Sequence, residues 1–89
     1  MKLASLKRGG RDGTLVVVSR DLKNAVEVHP IAHTLQQALD GWSDIAPRLN
    51  AVYEALNAGR AHGAFELDFD DLAAPLPRAY EFVDGSAYL

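Results

Sequence analysis

The chain has no cysteine. That excludes a disulfide-stapled scaffold, a thiolate nucleophile and any cysteine-ligated zinc site. Long apolar runs are also missing. The longest, Leu15-Val16-Val17-Val18, is far short of the roughly 18 residues a membrane-spanning helix needs, so no membrane partner is expected. The basic N-terminus, Met1 to Arg8, has no apolar h-region and therefore does not read as a secretory signal; a cytoplasmic setting is expected. Internal repeats and low-complexity tracts are absent. What is present is ordinary for a folded domain: 89 residues, 48% hydrophobic and 24% charged. The length suits one small domain and is short for an enzyme with a closed active site.

The net charge of −3 hides a split. Residues 1–23 hold six of the nine basic groups against Asp12 and Asp21, a local +4, whereas residues 24–89 set three basic groups against ten carboxylates, a local −7. A basic segment is the electrostatic footprint expected of a nucleic-acid binder. Here that segment carries no aromatic residue, and the rest of the chain repels phosphate. Nucleic acid is therefore not the expected partner. The competing reading is a standalone binding module that uses the basic hairpin at residues 7–11 (Lys7, Arg8 and Arg11) for nucleic acid or an acidic partner.

Three strands are expected first: a weak one over residues 2–7, a β-branched one over 14–19 and an alternating one over 25–29, with Val26 and Val28 on one face. The glycine-rich stretch at 8–13 reads as a hairpin connection, and 20–24 as a second tight turn. Pro30 ends the third strand because it has no N–H to donate. Thr34 and Gln37 have the spacing of a capping box. Apolar residues then recur at steps of three and four from Leu35 to Leu56, interrupted by Gly41 and Pro47, with Ser43 as a fresh cap. Two helices meeting near residues 42–44 are expected, closed by Gly59 as a left-handed C-cap. Residues 68–72 read as one capped helical turn, 75–83 as extended chain, and 84–89 as the start of another element. The fold class is α+β: a strand meander packed on an amphipathic helix pair. Its expected core is Leu15, Val17, Val26, Val28, Leu39, Trp42, Leu49, Val52 and Leu56.

Little in the residues spells out chemistry. Gly9, Gly10 and Gly13 lie between strand patterns rather than before a helix, so they make a turn, not a phosphate cradle. His29 and His33 are four apart, but Pro30 prevents the helix that would align them on one face, and they read as strand-end and loop histidines. Asp68, Asp70 and Asp71 lack the glycine and the downstream glutamate of a calcium loop and read as capping carboxylates. Neither Ser43 nor Ser86 has a His or Asp at a spacing that makes a triad legible.

Three blocks stand out as words: residues 1–7 with 12–21 (MKLASLK and DGTLVVVSRD), residues 53–59 (YEALNAG), and PLPRAY at 75–80 with VDGSAYL at 83–89. Together they resemble the N-terminal region of bacterial fumarylacetoacetate hydrolase family proteins, over essentially the whole chain. The resemblance implies a small N-terminal domain with an SH3-like, partly open barrel of strands, followed by a larger catalytic domain. Residues 1–83 would be the accessory domain and 84–89 the start of the catalytic one. The family hydrolyses carbon–carbon bonds in β-diketo acids of the fumarylacetoacetate or acylpyruvate type, a chemistry of aromatic amino-acid catabolism. A divalent cation (Mg²⁺, Ca²⁺ or Mn²⁺) held by carboxylates acts as Lewis acid, and a His–Glu pair activates water.

Carried over residue by residue, the resemblance gives Asp84 the role of one metal ligand. Ser86 falls where some members place a tyrosine against the substrate, a departure from the pattern. The catalytic His and the remaining ligands would follow Leu89. The resemblance thus implies that these 89 residues are inactive alone, contain no catalytic residue, and have as partner a catalytic domain within a homodimeric parent.

Overall fold

A computed structural model describes residues 1–8, 13–73 and 78–80. The central feature is an antiparallel meander of β1 (Lys2–Leu6), β2 (Thr14–Val18) and β3 (Asn24–Glu27). Leu3 pairs with Val17 and Ala4 with Val16, while Val17 in turn faces Val26. Strand side chains alternate between faces, so this register sends Leu3, Leu15, Val17, Val26 and Val28 to one side. Leu6, Val16, Val18 and Ala25 go to the other. Every residue of β2 is buried, as a continuous β-branched run demands of a strand covered on both faces.

The front face is covered by α1 (Leu35–Asp40) and α2 (Trp42–Asn57). Thr34 caps α1, its hydroxyl accepting the Gln37 N–H at 3.0 Å. Gln37 reaches back one residue further than an ordinary capping box, its Oε1 accepting the His33 N–H at 2.7 Å. Gly41 joins the helices and serves as N-cap of α2 without a side-chain bond, so Ser43 is not the cap the sequence suggested. A serine there lies within the first turn, where the Gly41 carbonyl already receives the Asp44 and Ile45 N–H groups. The far end of α2 closes as expected. Gly59 takes φ +76°, its N–H reaches the Leu56 carbonyl at 3.1 Å, and the Arg60 N–H reaches that of Ala55 at 2.8 Å, a Schellman arrangement.

One core assignment is corrected. Leu39 is 42% exposed, while Ala38 beside it is fully buried. Helix α1 is only six residues long, and the inward seam runs through its Leu35 and Ala38 and continues on α2 with Trp42, Ile45 and Leu49. Leu39 lies about 100° round the helix from Ala38, outside that seam. Of the other expected core residues, Leu15, Val17, Val26, Val28, Leu49 and Leu56 are buried, and Trp42 and Val52 are half-buried against them.

The back face is covered by the chain after α2, which the sequence did not show as core. Leu67 and Leu72 complete a second cluster with Leu6, Val16, Val18 and Ala25. Strand β4 (Phe65–Glu66) pairs with Asn24 and Ala25 of β3. A 3₁₀ turn (Phe69–Asp71) follows, capped by Asp68, whose carboxylate accepts the Asp70 N–H at 2.9 Å. Strand β5 (Arg78–Ala79) pairs with β1. The sheet is five-stranded, ordered β4-β3-β2-β1-β5, with β4 and β5 at opposite edges, so it stays open rather than closing into a barrel. No helix among the described residues is long and apolar enough to cross a membrane.

Candidate functional site

Ion-pairing and imidazole chemistry gather where β3 ends. Glu27, on the back face opposite Val16, sends its two carboxylate oxygens to different partners. Oε2 takes the Arg8 guanidinium, and Oε1 lies 3.0 Å from His29 Nε2. The Nδ1 atoms of His29 and His33 are 2.8 Å apart, with the two rings inclined at 70°. A constrained loop makes this possible. The Val28 carbonyl accepts the Ile31 and Ala32 N–H groups at 2.8 and 2.9 Å, and the Leu15 N–H holds the His33 carbonyl at 2.9 Å. Pro30, which rules out a helix here, lies inside this turn, and the turn brings the two Nδ1 atoms within hydrogen-bond reach. The sequence signal was the i, i+4 spacing with a proline inside it; its outcome depended on the turn.

A second polar cluster lies at the end of α2. The Arg20 N–H donates to Asn57 Oδ1 at 2.8 Å, and the Arg20 guanidinium lies 5.9 Å from the centre of the Tyr53 ring. Asn57 Nδ2 is buried without a hydrogen-bond partner. A groove of about 390 Å³ runs between β3 and α2, lined by Val28, Ile31, Val52, Ala55 and Ala61 among others.

The edge of β1 is where the last described residues dock. Outward-facing groups of β1 are satisfied by two segments in succession. The Lys7 N–H bonds Asp71 and the Ser5 carbonyl receives the Ala73 N–H, both at 2.8 Å, and Leu3 and Lys2 pair with Arg78 and Ala79. Tyr80 is tied at both backbone atoms: its N–H donates to the Met1 carbonyl and its carbonyl accepts from the Met1 amino group, each at 2.7 Å. Its ring packs on Trp42, with centroids 5.7 Å apart.

That docked edge is where the sequence comparison ends. A family model described as fumarylacetoacetase N-terminal domain 2 matches residues 1–78. The chain belongs to this family. No curated protein matches it. The match spans both helices and four of the five strands of the fumarylacetoacetase N-terminal domain and reaches the first residue of β5.

Asp84 and Ser86 lie outside the described residues, as do Arg11 and the aromatics Phe82 and Tyr88. Of the basic hairpin, Lys7 is exposed and Arg8 is engaged by Glu27. His62 is exposed after α2. Among the described residues no three or more His, Asp or Glu side chains converge as a metal centre, and the carboxylates of 68–71 belong to their own capped turn.

Proposed function

We propose that this chain is the accessory N-terminal domain of a metal-dependent hydrolase that cleaves carbon–carbon bonds in β-diketo acids of the fumarylacetoacetate or acylpyruvate type. The carrying observation is the family match across residues 1–78. In this reading residues 1–83 form the domain, residues 84–89 open the catalytic domain, and the parent works as a bacterial, cytoplasmic homodimer. The 89 residues alone have no turnover.

Mg²⁺, Ca²⁺ and Mn²⁺ need several hard oxygen donors at once. The described residues do not fit such a centre, since no group of three donors converges. Asp84 is assigned one oxygen of it, the remainder coming from the catalytic domain, and Ser86 a place beside the substrate. What the described residues contribute is position. The paired backbone bonds between Met1 and Tyr80, with the Trp42–Tyr80 contact, hold the last described residues against the start of the chain.

The assignment of Asp84 is tested in the full-length parent. Asp84→Asn is expected to weaken metal binding and lower kcat together, by about 100-fold. Asp68→Asn, which touches only its own turn, is expected to change neither. Unchanged metal affinity in Asp84→Asn would remove that residue from the centre.

A further inference from the structure

Glu27 Oε1 lies 3.0 Å from His29 Nε2, a contact that favours a proton on that nitrogen. A neutral imidazole carries one N–H and one lone pair, and a carboxylate can only accept, so a His29 with its proton on Nε2, facing Glu27, presents the Nδ1 lone pair. A His33 proton on Nδ1 fills that lone pair across the 2.8 Å between the two Nδ1 atoms. With the proton of the exposed His33 ring on Nε2 instead, two nitrogen lone pairs converge on one point.

We propose that His29 and His33 form a two-imidazole chelate for a divalent transition cation of the zinc type. Glu27 is the carboxylate behind the His29 ligand, and Arg8 holds Glu27. Metal–nitrogen bonds of roughly 2.0–2.1 Å place two coordinating nitrogens about 3.0–3.4 Å apart, so the nitrogens must part by a few tenths of an ångström and the rings tilt off the line that joins them. A carboxylate on the distal nitrogen of a ligating imidazole both orients the ring and raises its basicity. The backbone is already clamped on each side of the pair, through Val28 and Leu15 on one hand and Gln37 on the other, so little ordering is left for binding. Imidazole donors select zinc-like ions over Mg²⁺ and Ca²⁺. No third protein donor converges among the described residues, and water completes the shell.

The test is a calorimetric titration of the 89-residue chain with zinc chloride, with the imidazole ring protons followed by NMR. One equivalent is expected to bind with Kd of roughly 10–100 µM, far weaker than a four-ligand structural site. His29→Ala and His33→Ala are each expected to weaken binding at least about tenfold, and Glu27→Gln by about tenfold, with circular dichroism showing that each variant remains folded. His62→Ala is expected to bind as the wild type does. Absence of binding up to about 1 mM zinc, or affinity that survives His29→Ala and His33→Ala, would overturn the site and leave an imidazole–imidazole hydrogen bond only. Unchanged affinity in Glu27→Gln would overturn the role given to the carboxylate.

Discussion

Gly13 and Gly59 have nearly the same positive φ, +72° and +76°, yet their surroundings differ. A Cβ at Gly13 would be driven into the Leu6 carbonyl oxygen, which is backbone of the paired strand, whereas nothing lies within 4 Å of one at Gly59. Gly59→Ala therefore carries only the left-handed backbone penalty, about 1 kcal/mol, and Gly13→Ala that penalty plus a clash, about 2–3 kcal/mol. Chemical denaturation of the two variants checks the order. Asp21 gives a second residue-scale prediction. The Ser19 hydroxyl, 2.6 Å away, and then the Lys23 N–H hold its carboxyl below the ordinary value of 3.8. The folded-state value is depressed, so the stabilisation is present above 3.8 and is lost as pH falls through the folded value. Ser19→Ala is expected to raise the Asp21 value toward 3.8 in an NMR titration. Single residues with a fixed backbone role, Thr34 and Gly59 among them, were legible in the sequence because capping is local chemistry. The convergence of Glu27, His29 and His33 was not legible, because it depends on a turn closed by Val28 and Leu15.

Helix α1 shows what local pattern misses at the scale of elements. The apolar stripe reads continuously from Leu35 to Leu56, but the short helix ending before Gly41 offers only a narrow seam, and Ala38 rather than Leu39 fills it. Leu39→Ala is accordingly expected to change stability by less than about 0.5 kcal/mol. Leu49→Ala, at a fully buried position of α2, is expected to cost about 2–5 kcal/mol. Thermal or urea unfolding of this pair separates the structural seam from the sequence stripe. The meander and the helix pair were readable because each has its own periodicity. Strands β4 and β5 are two residues long and exist through their partners on β3 and β1, so no pattern within them could announce a strand. The back-face core was hidden for a similar reason: Leu67 and Leu72 are isolated in sequence and come together only in the cluster with Leu6, Val16, Val18 and Ala25.

As a whole, the molecule is an open α+β sheet buried on both faces, with its last described strand docked on its first. The resemblance read from residues 1–21, 53–59 and 75–89 names the same family as the match over residues 1–78, which stops short of DGSAYL at 84–89. Composition and periodicity alone reached a small α+β domain and no further, since the residues spell out no nucleophile, metal cluster or phosphate loop. On the proposed function, this domain positions chemistry performed elsewhere. The most direct measurement of this is turnover of fumarylacetoacetate and of an acylpyruvate by the purified 89-residue chain, followed by loss of enolate absorbance with Mg²⁺, Mn²⁺ or Ca²⁺ supplied. The account predicts a rate equal to that of buffer and metal alone; metal-dependent hydrolysis by this chain would contradict it.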